Sequence, residues 1–333
     1  MDKFFRYLLQ NQIILALIIV AAVWFLLQIQ TTIVVFFLAY TLMAGFLPLV
    51  QFFQKKGFPK LIAIAFIYIP IVILVFLSGY MLGPQLVSQT RDFVNNLPDL
   101  LVKLGTALRI RNIQSLTSLA NISSANIFSL TFTAAQFIIA VIAIFAISIY
   151  MLVGRERMNG FFASLIPRFT REEVMNALET VELGLGRWLR GQIILSAAVG
   201  FMVWIFLLVL GIPGAAPLGL LSGIFEIVPY VGPILSAVPG ILLALNISLT
   251  EALVVAIGYF VIHQLESNLL VPNIMGESVD LPPLAVLIVV LAGAEVGGVI
   301  GALVAVPLAT FVNAIIQYLN RENGRRKASR AAP

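Results

Sequence analysis

His263 and Glu266 stand one helical turn apart in the run His263-Gln264-Leu265-Glu266-Ser267-Asn268, inside otherwise apolar sequence. On a helix, residues 263, 266 and 267 share one face. An imidazole beside a carboxyl can hold or relay a proton near neutral pH. A single histidine also fits a plainer role, as a hydrogen-bonded packing residue. Five polar side chains in six positions are not expected to face lipid. Glu226 and Glu295 are likewise set in apolar sequence. A carboxylate placed there costs about 2.5–3.5 kcal/mol on an insertion scale, so it normally faces a cavity or finds a partner. No Lys or Arg occurs between Arg190 and Arg321, so this stretch supplies no basic partner. The same stretch carries six acids, of which Glu251, Glu277 and Asp280 sit beside turn signals and belong at helix ends. The three interior acids point to a path for a polar solute or cation. The competing reading makes them protonated or hydrogen-bonded contacts between helices.

The elements that must position these acids are two interrupted apolar segments. Residues 213–247 are broken at Glu226-Ile227-Val228-Pro229-Tyr230-Val231-Gly232-Pro233. Arms 213–228 and 234–247, at about 1.5 Å per residue, fall short of a ~30 Å hydrocarbon core, so paired half-helices fit better than two full spans. Residues 281–319 repeat the theme around Ala292-Gly293-Ala294-Glu295-Val296-Gly297-Gly298. Gly232, Ser236, Gly240 and Ala244 form one row of small residues, and Gly293, Gly297, Gly301, Ala305 and Ala309 form another. Such rows allow close backbone approach. Corresponding interrupted segments are the sequence mark of a transporter site where broken helices meet. The candidate pathway residues are Glu226, Pro229, Tyr230, Gly232, His263, Gln264, Glu266, Asn268 and Glu295. No catalytic residue, cofactor or metal is expected.

The whole chain carries 61% hydrophobic and 11% charged residues over 333 positions, too few charges for a water-soluble surface. Residues 7–54 hold no Asp, Glu, Lys or Arg, enough length for two membrane passes. Spans are expected near 12–28, 31–52, 61–83, 131–153 and 191–210. The fold class is therefore an all-α integral membrane protein. It should have about five to six full transmembrane helices, two broken or re-entrant hairpins and two amphipathic interfacial helices. The organisation reads as N-terminal transmembrane helices over 1–153 with an external amphipathic segment at 85–130. A cytoplasmic amphipathic linker at 154–190, a core at 191–320 and a basic tail at 321–333 follow. In the linker, Thr170 with Glu173 makes a capping box. Val174, Leu178, Val181, Leu185, Trp188 and Leu189 then make an apolar stripe suited to a membrane surface.

Several classes are excluded. There is no Cys and one His, so neither disulfides nor His/Cys metal clusters are available. No His-Glu-x-x-His, Gly-x-Ser-x-Gly or Walker-type string occurs, so an enzyme is not expected and any energy source should be an ion gradient. The +5 net charge sits in loops and tail and suits membrane lipid, at about 1 kcal/mol per basic residue, rather than nucleic acid.

At Leu210-Gly211-Ile212-Pro213, Ile227 to Pro233, Gln264 to Gly276, Pro283-Leu284-Ala285 and Ala305 to Ala309, the chain resembles the AI-2E (autoinducer-2 exporter, PerM-like) transporter family. Asp280-Leu281-Pro282-Pro283 stands where relatives often carry a Gly-Leu-His-Pro-like string. The resemblance implies a bacterial inner-membrane exporter of a small polar solute and a homo-oligomer, with a pentamer as one form. Some similar proteins are linked to sodium/proton antiport. A non-transporting scaffold or passive pore is the reading from another class.

Sixteen of the 20 basic residues fall in the N-terminus, the loop after residue 54, the 154–190 segment and the tail; the other four fall in 85–130. The positive-inside rule then puts both termini and 154–190 in the cytoplasm and 85–130 outside. Single-cysteine labelling at Ser118 and Ser164 should report opposite sides. Equal access from outside at both would overturn this topology.

Overall fold

A computed structural model of the chain describes residues 12–73, 76, 77, 80, 124–166, 170–276 and 281–331. The described residues are helical, with short turns between helices and no strand. In order they are α1 (Gln12–Gln28), α2 (Gln30–Lys55), α3 (Lys60–Ile73), α4 (Ser124–Val153), α5 (Arg155–Leu165), α6 (Arg171–Val209), α7 (Ala215–Phe225), α8 (Val231–Leu245) and α9 (Leu249–Leu265). A π-helical turn (Glu266–Leu270), α10 (Val271–Met275) and α11 (Pro283–Ala331) complete the series. By length and composition four helical stretches could cross a membrane: α2, α6, α9 to α10, and Pro283–Glu322 of α11, the last of which folds back at Gly298. The α4–α5 pair, bent by 80°, makes a fifth if taken as one span. This is an all-α integral membrane protein, with four to five such spans among the described residues against the five to six expected from sequence. Most of the 85–130 segment, the end of the third expected span, Lys3, Arg6, Glu277 and Asp280 lie outside the described residues, as do the side chains of Arg325 to Arg330.

Helix α6 organises the fold. The capping box forms as the sequence indicates, with Thr170 Oγ accepting from the Glu173 amide and the Glu173 carboxylate accepting from the Thr170 amide. From there α6 runs unbroken for 39 residues, about 58 Å. The boundary expected at 190 therefore falls inside a continuous helix. Its apolar stripe, expected on a lipid surface, is covered by protein. Val181 and Leu185 pack with Ala44 of α2 and Ala314 of α11, and Trp188 packs with Val290, Ala302, Ala305 and Val306. Glu182, in the same buried stretch, receives Arg155 Nε at 2.9 Å and Asn159 Nδ2 at 3.4 Å, which ties α5 to α6.

Proline explains the α2–α6 crossing. Pro48 has no N–H, so the Ala44 carbonyl one turn earlier loses its helical partner. Gly186 of α6 sits against that carbonyl, and Arg190 Nη1 donates to the neighbouring Gly45 carbonyl at 3.0 Å. On the other side of α2, Met43, Phe46 and Val50 meet Ala63, Ile64, Ile67 and Tyr68 of α3 and Leu152 of α4. The Tyr68 hydroxyl and Ser148 Oγ are hydrogen-bonded there at 2.6 Å.

Both interrupted segments fold as helical hairpins. Arms α7 and α8, of 11 and 15 residues, are about 16 and 22 Å long. They begin and stop two to three residues away from the limits read from sequence, at Phe225 and Val231. The turn is tight: Val231 N–H donates to the Pro229 carbonyl at 2.8 Å around Tyr230, which has φ 65°. That is a γ-turn of the rare positive-φ kind, strained for a residue with a side chain. Gly232 makes it possible, because a Cβ there would lie 2.0 Å from the Phe225 carbonyl oxygen. The second segment breaks at Gly298, with φ 59° and ψ −143°, a region open to glycine almost alone. The row from Gly293 to Ala309 is thereby split. Gly293 lies against Gly301 and Ala305 of the returning arm instead of continuing one face with them.

The closeness of α2 and α6 predicts a selective cost. In Gly186→Ala the new Cβ would stand 2.5 Å from the Ala44 carbonyl oxygen, whereas Gly297 has open space within 4 Å. Gly186→Ala should lose about 1–3 kcal/mol to overpacking and melt earlier in detergent, while Gly297→Ala should not. Equal melting temperatures for the two variants would refute this account of the crossing.

Candidate functional site

The site is built where α6, α7 and α9 meet. Helices α6 and α7 run antiparallel with almost no side chain between them. Gly200 and Gly219 touch through their backbones, Gly219 lies under Trp204, and Gly223 lies on the Ser196 carbonyl. One turn further along the same contact, Gln192 Nε2 donates to the Glu226 carbonyl at 2.6 Å. That carbonyl is at the C-terminus of α7, where the helix itself offers no partner. The bond fixes Glu226, which is 2% exposed, at the mouth of the hairpin turn.

Helix α9 is seated by the other hairpin arm. A Cβ at Gly240 would come within 2.8 Å of the Tyr259 ring, so the glycine makes room for that ring. Tyr259, His263 and Glu266 follow at i, i+4 and i+7 and line one face. His263 Nδ1 is 2.9 Å from Glu266 Oε2. One ligand atom from each of Glu226, His263 and Glu266 lies within 4.8 Å of the others. No Lys or Arg pairs with either acid among the described residues. His263 Nε2 and Ser196 Oγ are buried there without a hydrogen-bond partner, and no N–H or hydroxyl group donates to the buried Glu226 Oε2, which lies against the Glu266 carboxyl. Two buried carboxyls this close hold two charges only at high cost, so the arrangement suits a shared proton, a cation or a polar solute.

Helix α9 does not run straight through the site. Pro272 cannot donate to the carbonyl one turn back, and the chain answers with a π turn in which Val271 N–H reaches the Glu266 carbonyl. The wider turn changes which residues share a face. Glu266 is buried, while Ser267, expected on its face, is exposed together with Gln264 and Asn268. The rule of 3.6 residues per turn fails there for this reason.

Of the nine residues proposed from sequence, Glu226, His263 and Glu266 come together, and Gly232 lies against the backbone beside Glu226. Pro229 and Tyr230 form the hairpin turn, and the Tyr230 hydroxyl donates to the Pro283 carbonyl at 3.4 Å. Glu295 is exposed on α11, three residues before the Gly298 break, and is not in the cluster. Beside it, a cleft of about 820 Å³ runs along the second hairpin, walled by residues such as Val296, Ile300 and Leu308, with Gln30, Thr31 and Asn313 as polar edges. It does not reach the acids. Sequence reasoning missed Gln192, Ser196 and Tyr259. The spacing of Gln192, Ser196 and Gly200, four residues apart inside an apolar span, was the available signal.

The chain matches the sequence model of the AI-2E family transporters over residues 13–321. It belongs to the AI-2E transporter family. YrrI of Bacillus subtilis (strain 168) is 28% identical over 298 residues, 83% of each chain. YueF of the same organism is 28% identical over 309 residues, covering 86% of this chain and 83% of that protein. The AI-2 transport protein TqsA of Escherichia coli (strain K12) is 28% identical over 280 residues, 81% of each chain. For this AI-2E chain, then, the buried acids sit in a multi-pass membrane transporter, and the family match spans both hairpins and α9.

The bond from Gln192 predicts a structural role for that residue. Gln192→Leu keeps comparable bulk but leaves the buried Glu226 carbonyl unpaired. It should cost about 1–3 kcal/mol of stability, read as an earlier thermal transition. An unchanged transition would remove Gln192 as the anchor of the hairpin.

Proposed function

We propose that this chain exports a small polar solute from the bacterial cytoplasm, driven by an ion gradient, with Glu226, His263 and Glu266 as its polar contact site. The observation that carries the reading is the buried cluster itself. Two carboxyls and an imidazole without a basic partner, held where a broken hairpin meets a π-distorted span, are costly to keep in a membrane unless they serve a ligand. The name of the relative TqsA, an AI-2 transport protein, supports a small polar cargo of that kind. Both termini are taken as cytoplasmic from the distribution of Lys and Arg. The chain is taken to act as a homo-oligomer in the inner membrane.

A second reading is sodium/proton antiport, which the facing carboxyls of Glu226 and Glu266 favour. Proteoliposome flux separates the two. Under the export reading, an AI-2-like solute moves faster with a proton or sodium gradient than without one. Under the antiport reading, sodium and protons exchange with no solute present. Flux that ignores both gradients would leave a passive pore.

Glu266→Gln keeps the size and hydrogen-bonding capacity of the side chain but removes its charge. It should lower gradient-driven flux by about tenfold or more while the protein still inserts and assembles. Normal gradient-driven flux in this variant would remove Glu266 as the coupling residue. Loss of assembly in Glu266→Ala with normal flux in Glu266→Gln would identify a structural contact instead.

A further inference from the structure

We propose that Glu226, His263 and Glu266 form a binding site for one divalent transition-metal cation of the zinc or manganese class. The inference rests on the reading of this cluster as a ligand site, and not on the export of any solute. The exclusion of a metal from sequence counted only His and Cys. Folding adds two carboxylates to the lone imidazole, and one oxygen of each acid and one imidazole nitrogen lie within 4.8 Å of one another. Zinc bound at about 2.0–2.2 Å sets tetrahedral ligand atoms roughly 3.4 Å apart, so the three need close by only about an ångström.

Glu226 supplies the independent observation. It is 2% exposed, its carboxyl lies against that of Glu266, and no N–H or hydroxyl group donates to its Oε2. A buried carboxylate oxygen left this way beside two other donor groups fits a cation as its missing partner. His263 is prepared in the same sense. With the proton on Nε2, the lone pair is left on Nδ1, which is turned toward Glu266 with its Oε2 at 2.9 Å.

The donor set also selects the ion. Two carboxylates and a neutral imidazole carry a charge of −2, which a divalent cation cancels and a sodium ion does not. The nitrogen donor favours zinc, manganese or iron(II) over calcium and magnesium, which prefer oxygen throughout. Three protein ligands leave one position for water.

The test uses tag-free full-length protein in detergent, stripped with chelator and titrated with zinc chloride by calorimetry. One zinc per chain is expected. Glu226→Gln, Glu266→Gln and His263→Gln should each weaken binding about tenfold or more, with unchanged elution and melting. No saturable binding, or binding that all three variants leave intact, overturns the proposal. So does displacement of zinc by sodium at equal concentration. Should a variant fail to elute as folded protein, X-ray absorption of zinc-loaded wild type decides. One nitrogen with carboxylate oxygens at about 2.0–2.2 Å supports the site, and an oxygen-only shell overturns it. Zinc binding with no solute flux would defeat the export reading alone, and flux without zinc binding would defeat this one alone.

Discussion

The contact of Gly200 and Gly219 through their backbones is the constraint on which the site depends. Helices in lipid gain little from hydrophobic burial against each other, since lipid tails are as apolar as leucine. Close packing and interhelical hydrogen bonds must hold them. Here the glycines remove side chains from the α6–α7 seam, and the seam becomes narrow enough for Gln192 to reach a backbone carbonyl on the neighbouring helix. Widen that seam by one methyl group and Glu226 moves away from Glu266. The polar cluster is thus a consequence of small residues placed one to two turns above it.

Polar satisfaction shapes the rest. Pro48 and Pro272 each free a carbonyl inside a helix, and the two cases are resolved differently. At Pro48 a second helix comes in, with Gly186 giving access and Arg190 donating next door. At Pro272 the helix rearranges its own bonding into a π turn. The first solution makes a rigid crossing between α2 and α6. The second distorts a spanning helix at the position of a buried acid, a place where π turns often accompany function.

The two hairpins share a plan but not an environment. The first is held by polar and backbone contacts with α6 and carries a buried acid at its turn. The second closes through Gly293, Gly301 and Ala305, leaves Val296 and Val299 more than four-fifths exposed at its tip, and borders an apolar cleft. Their resemblance in sequence reflects the shared need for a break and for close arms. It did not require that Glu226 and Glu295 meet, and they do not.

Composition and periodicity alone determined that this is a helical membrane protein, that two apolar segments are interrupted, and that Glu226, Glu266 and Glu295 stand in apolar sequence without a basic neighbour in their stretch; the fold buries the first two and leaves Glu295 exposed. These properties are local, since they follow from run lengths, from Pro and Gly, and from an absence of Lys and Arg. The capping box at Thr170 and Glu173 was legible for the same reason. Which acids face one another was not. Glu226 joins Glu266 because Gly200, Gly219 and Gly223 set the distance between α6 and α7, and because the π turn after Leu265 keeps Glu266 inward while Ser267 turns out. The stripe on α6 shows the same limit: its period predicts an apolar face, but only the positions of α2 and α11 decide that protein covers it. A single sequence records the spacing of side chains along one helix, while a site is made by the distance between helices, and that distance is set by packing.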